Sequence, residues 1–222
     1  MRLYGAKKAM GLLDGYSSLL DELARKYSLP EECIRAVAFK EMTELNLLDL
    51  AADAAVSLYW KRRALRRRLL GAKLAKSPEP LLRGRLFGKK DSSVGWTQIY
   101  SFVAIDALNF ALARGLVTNA SLGLPEGRSF SRGCDDDLCF IWRRLRRDRA
   151  FNFEMCALNL LAAAEEMTGG TNFAAFTAQQ LKLVLTRYNG RLDHVTPYGE
   201  ETYGYFLSFK KDRHSVPERG KI

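Results

Sequence analysis

One glutamate stands out by its surroundings. In the stretch SLPEECIRAVAFKEMTELNLLDL, residues 28–50, helical spacing places Val37, Ala38, Leu45 and Leu48 within about 60° of Ile34, and Glu41 falls in the middle of that stripe. A carboxylate among aliphatic side chains either finds a basic partner from another helix or has its pKa raised until it holds a proton near neutral pH. In the second case its chemistry is proton donation. Other reactive combinations are scarce. The two histidines, His194 and His214, fall in a loop and a polar tail, so no Ser-His or Cys-His pair forms. There is no phosphate loop or dinucleotide fingerprint, and no cofactor is implied. Cys134 and Cys139 flank three aspartates and would close a small disulfide loop if oxidised, but with no histidines nearby they do not make a zinc site, and unpaired thiols are the expectation.

The elements that position Glu41 are helical. Nearly every periodic segment has helical spacing and none alternates as a strand does, so an all-α fold is expected. Residues 6–27 read as one amphipathic helix. Ser28 with Glu31, and Pro30 in the first turn, read as a capping-box start for the central helix. That helix is expected to run past Leu50 into KRRALRRRLL, residues 61–70, and to stop at Pro78 and Pro80. Helices follow from Tyr100 to about Arg114, over 136–147 and over 151–168. Another begins at the Thr177/Gln180 capping box and ends near Tyr188, and a last one begins near Glu200. Residues 1–211 read as a single domain carrying a basic insertion at 55–90, and 212–222 as a polar tail.

A chain of 222 residues buries roughly 70% of its unfolded surface, enough for a core and a cleft. Its net charge of +10 and pI near 9.6 imply an acidic partner: nucleic acid, an anionic membrane surface or an acidic wall polymer. The charge is concentrated in Lys61, Arg62, Arg63, Arg66, Arg67 and Arg68, and again in Arg143, Arg144, Arg146, Arg147 and Arg149. The first 26 residues contain Asp14, Asp21 and Glu22 and no uninterrupted apolar region, so they do not read as a secretory signal. No apolar stretch is long enough to span a membrane.

Three separated stretches share a pattern: Glu41 on its apolar helix, DSSVGWTQI at 91–99, and TRYNG at 186–190 followed by PYGEETYGYF at 197–206. Together they resemble the lysozyme-like superfamily, in particular soluble lytic transglycosylases and goose-type lysozymes, over roughly residues 28–50 and 91–206. The resemblance implies a lysozyme-like helical domain that cleaves the β-1,4 bond between N-acetylmuramic acid and N-acetylglucosamine in peptidoglycan. Glu41 would be the general acid. Ser93, Gly95 and Gln98 match the Ser/Asn-x-Gly-x-x-Gln segment, Tyr188 and Asn189 match a Tyr-Asn segment whose tyrosine reaches the acid, and Asn152 matches an asparagine at a helix start. Gly95 would let a sugar pass close to the backbone, Gln98 would meet an N-acetyl group, and Trp96 would stack on a sugar face or sit in the core. Met42 stands where transglycosylases usually have serine, which favours a hydrolysing muramidase with a lytic transglycosylase as the alternative; the loop reads Gly-Trp-Thr-Gln rather than Gly-Leu-Met-Gln, and about 50 residues separate Glu41 from Ser93.

A second carboxylate distinguishes mechanisms, because hydrolases need a base or nucleophile whereas lytic transglycosylases use one acid and the substrate's own groups. Asp91 is the expected water-activating base and Glu44, one turn after Glu41, the alternative; both also fit as surface acids. The implied settings are an antibacterial toxin, a phage lysin or wall remodelling, reached by a route other than a classical signal peptide or as part of a longer chain, and a toxin would have an immunity protein. No nucleic-acid partner is expected on this reading. Two readings of another class compete: nucleic-acid binding through the basic helices, and a membrane-surface or partner-binding helix at 57–70.

Overall fold

The computed structural model describes residues 2–74, 90–190 and 193–215, and among these the protein is all α, with nine α-helices, two short 3₁₀ turns and no strand. Its hub is α7 (Arg149–Thr168), against which α2 (Ser17–Tyr27), α3 (Glu31–Glu44), α5 (Ser101–Ala113), α6 (Asp135–Arg147) and α8 (Ala178–Asn189) all pack. α9 (Pro197–Ser215) lies across α3 and α8, and α1 (Ala6–Asp14) braces α3. The sequence of α7 explains its place. Phe151, Phe153, Met155, Cys156, Leu158, Leu160 and Leu161 are buried and face in several directions, as in a helix enclosed by others. Asp148 starts it, its side chain accepting from the Phe151 N–H at 3.0 Å, and Gly169 ends it in a left-handed conformation.

α3 is likewise buried on nearly every side rather than along one stripe. Cys33, Ile34, Ala36, Val37, Ala38 and Met42 are fully enclosed. Its few charges are matched: Arg35 meets Glu31 and Asp14, and Lys40 meets Glu44 and Glu201.

Several expected boundaries shift. The helix expected over 6–27 is two, broken at Gly15 and Tyr16, where the chain turns and Tyr16 N–H bonds to Leu13 O. Ser28 does not cap α3: it adopts φ 52° and ends α2, and α3 starts after Pro30 without a side-chain cap. The central helix does not continue unbroken past residue 50. Leu45 is extended, and Asn46 restarts the chain as α4 (Leu47–Leu74): its side chain accepts from Leu48 N–H at 2.8 Å, and Asp49 accepts from Asn46 N–H. In consequence Leu48, expected beside Glu41, is 73% exposed. The Thr177/Gln180 capping box of α8 is present with both reciprocal bonds. α9 starts at Pro197 and stays helical to Ser215, four residues into the stretch expected as a tail. Pro78, Pro80 and the rest of 75–89, within the expected 55–90 insertion, lie outside the described residues.

Candidate active site

Glu41 sits on the last turns of α3 and opens onto a cleft of about 670 Å³ that is also lined by Gln98, Asn159, Arg187, Tyr188 and Asn189. Packing removes most of its water, and this desolvation pushes its pKa up to about 7; neighbouring Glu44 and Asp49 add to the rise. Two groups oppose it. Tyr198 O–H donates to Glu41 Oε1 at 2.6 Å, and Lys40 lies nearby. Near neutral pH the carboxyl is therefore divided between acid and base, the state suited to giving a proton up and taking one back.

Tyr198 reaches Glu41 because α9 approaches α8 closely. A Cβ at Gly199 would lie 2.0 Å from Thr186 Oγ1 and 2.7 Å from Lys182 O. Only a glycine fits that contact, and its neighbour Tyr198 is thereby carried over the end of α3. Thr186 secures the approach by accepting from Thr196 N–H at 3.2 Å. The tyrosine expected at the acid was Tyr188. Its hydroxyl donates instead to Thr97 O at 2.8 Å, so it ties α8 to the 91–99 loop while its ring lines the cleft. Tyr198 lay within the quoted PYGEETYGYF segment, yet nothing local to that segment marks it as the acid's partner.

The 91–99 loop is built as a closed unit. Val94 N–H bonds to Ile99 O at 3.1 Å, and Gln98, at φ 43°, turns the chain between them. Asn152, wholly buried at the start of α7, fills the loop from inside: its Oδ1 accepts from Trp96 N–H and Thr97 N–H at 3.1 and 3.2 Å, and its Nδ2 donates to Val94 O at 3.1 Å. Gly95, at φ 79°, makes room for this asparagine, since a Cβ there would come within 2.5 Å of its side chain. Its smallness thus serves Asn152 and not a passing sugar. Trp96 is 8% exposed, packed edge-on against Tyr16 and Phe153 with Arg149 over its ring, and so belongs to the core. Ser93 donates to Gln98 Oε1 at 3.0 Å, and Gln98 Nε2 to Gly95 O at 2.7 Å. Of this loop's expected substrate contacts, Gln98 is the one that lines the cleft.

Asp91 does not line it. Its carboxylate accepts from Ser101 N–H, Ser101 O–H and Phe102 N–H at 3.2, 2.7 and 3.1 Å, capping α5 from ten residues upstream. Those lone pairs are committed, which removes Asp91 from the role of water-activating base. Glu44 is held by Lys40 at 2.6 Å and does not line the cleft. The remaining cleft carboxylates are each matched with an arginine: Asp106 with Arg132, Glu165 with Arg114, Glu166 with Arg187. Glu41 is the one whose carboxylate is held by a tyrosine. Asn159, two turns along α7 from Asn152 on the same face, was not anticipated; its Nδ2 is a buried donor in the cleft lining without a partner among the described residues. A second asparagine seven positions on, two helical turns along the same face, was the signal available.

Among the described residues no cluster of His, Cys, Asp or Glu has the arrangement of a metal site, and no helix is long and apolar enough to cross a membrane. All four cysteines are free thiols. Comparison with protein-family models, with curated proteins and with solved structures gives no match for this chain.

Proposed function

We propose that the protein cleaves glycan strands of peptidoglycan at the β-1,4 bond between N-acetylmuramic acid and N-acetylglucosamine, with Glu41 as the proton donor. The observation that carries this reading is a desolvated glutamate, titrating near pH 7, that faces a cleft and is held by Tyr198. Glycosidic cleavage needs a proton on the leaving oxygen, and a carboxyl poised near neutrality supplies it. Gln98, Asn159 and Asn189 line the same cleft and offer amide donors and acceptors suited to N-acetyl groups and sugar hydroxyls. Asp91 caps α5 and the other cleft carboxylates are arginine-bound, so this arrangement favours a one-acid route in which the substrate's own group attacks, giving 1,6-anhydro ends rather than reducing ends. Hydrolysis is the second outcome, with water activated by Glu41 once it has given up its proton.

The test is mass spectrometry of purified peptidoglycan after incubation with the wild-type protein and with Glu41→Gln. Soluble muropeptides from the wild type alone are expected, and their ends distinguish the two routes. Absence of products from folded wild-type protein across several wall types would overturn the reading, and equal products from both proteins would remove Glu41 from its role.

A further inference from the structure

Away from the cleft, and sharing no lining residue with it, α4 and α6 enclose a hollow of about 790 Å³ walled by arginines. Seven of them line it, against two aspartates, Asp136 and Asp148. Four have partners. Arg63 meets Asp135 at 2.8 Å, Arg67 meets both oxygens of Asp136 at 2.8 Å, Arg128 meets Asp137, and Arg144 meets Asp148 at 3.5 Å and Gly123 O at 2.8 Å. These pairs fix the wall in place. The other three, Arg68, Arg143 and Arg147, have no hydrogen bond or ion pair among the described residues and stand exposed at the rim. Trp60, Ala64 and Phe140 add an apolar part to the lining, and two donors there, Trp60 Nε1 and Arg63 Nε, are buried without a hydrogen-bond partner among the described residues.

Clustering like charges around a concavity is unfavourable unless something negative neutralises them. Guanidinium groups match phosphate oxygens in a two-pronged geometry that ammonium groups do not reproduce, and the cations of this wall are all arginine. We infer that the hollow between α4 and α6 is a binding site for a ligand carrying two or three closely spaced phosphate groups. Arg68, Arg143 and Arg147 grip the phosphates, and the paired arginines hold the wall open. Three free guanidinium groups match the charge of such a ligand, and the volume exceeds that of a single phosphate. The same chemistry can come from a free oligophosphate or from successive phosphodiesters of a polymer. Neither depends on the glycan-cleaving reading of the cleft.

The experiment is isothermal titration of the full chain with inorganic tripolyphosphate and, separately, with a glycerol-phosphate oligomer, at low and at high salt. The wild type is compared with a triple variant, Arg68→Gln, Arg143→Gln, Arg147→Gln, and with a charge-matched control, Arg62→Gln, Arg66→Gln, Lys211→Gln, whose residues lie outside the hollow. All six positions are exposed, so both variants should fold, and thermal melts will check this. Binding of at least one probe is expected, weakened tenfold or more by the first triple and less than threefold by the second, with the difference shrinking as salt rises. Tripolyphosphate binding identifies a free oligophosphate as source, and binding of the oligomer alone identifies a polymer. No binding of either probe, or an equal loss in both triples, would overturn the site.

Discussion

Replacing the proposed acid should stabilise the fold, by an amount that depends on pH in a defined way. Folded Glu41 keeps its proton up to about pH 7, whereas a glutamate in the unfolded chain releases it near 4.5. Between these values the folded chain binds more protons than the unfolded one, so the contribution of Glu41 to stability is intact below 4.5 and is lost as pH rises through about 7. At 1.36 kcal/mol for each pH unit separating the two values, the loss amounts to about 3 kcal/mol. Glutamine does not titrate and still accepts the Tyr198 hydroxyl. Glu41→Gln should therefore match the wild type near pH 4 and exceed it by about 3 kcal/mol at pH 8, roughly 6–12 °C in melting temperature for a chain of this size. Urea unfolding at intervals from pH 4 to 8 reads this directly, provided the denaturant slope is the same for both proteins. Titrations of groups remote from Glu41 are common to both and cancel in the difference. A pH-independent difference, or a wild type that gains on the variant above pH 5, would mean an ionised and paired Glu41 and would refute the reasoning.

Three further outcomes follow from the same contacts. Tyr198→Phe removes a bond that favours the ionised carboxylate, so Glu41 should titrate higher; the difference between a charge-assisted and a neutral hydrogen bond, about 1 kcal/mol, corresponds to roughly 0.7 of a pH unit. A carboxyl ¹³C NMR titration of the glutamates checks this, and an unmoved or lowered midpoint would dissociate Tyr198 from the acid. Gly95→Ala forces a methyl into the Asn152 side chain and a non-glycine residue into left-handed backbone, and should cost about 3 kcal/mol or more, seen as a melting temperature roughly 6–12 °C lower; a drop under 2 °C would show that the loop yields easily. Asp91→Ala uncaps α5 and should cost about 1–2 kcal/mol while leaving glycan cleavage within a few-fold of wild type; a hundred-fold loss of cleavage in a protein of near-normal melting temperature would restore Asp91 to the chemistry.

What the sequence disclosed and what it withheld divide along physical lines. Features set by neighbours a few residues apart were legible: helical periodicity throughout, the Thr177 capping box, and an acid planted in an apolar helix. Features set by packing between distant segments were not. Two tyrosines ten residues apart compete for Glu41, and the choice between them rests on how closely Gly199 lets α9 approach α8. Gly95 and Trp96 have the residue types of a sugar-binding loop, but Asn152, more than 50 residues away, turns that loop's interior toward α7. Asp91 lies too far upstream of Ser101 for its capping role to show as a local motif. The break at Asn46 was hidden because alanine and leucine recur at helical spacing on both sides of it.

The arrival of Tyr198 on α9 has a consequence in time. α9 follows every other described helix in the chain and rests on α3 and α8. A polypeptide emerging from the ribosome carries Glu41 long before Tyr198 exists, and until α9 docks that glutamate lacks the hydroxyl that holds it in the folded protein. Reversible detachment of the same helix, well short of global unfolding, would break that bond in an otherwise folded protein. The setting of Glu41 is in this sense a property of helix docking as much as of the glutamate itself.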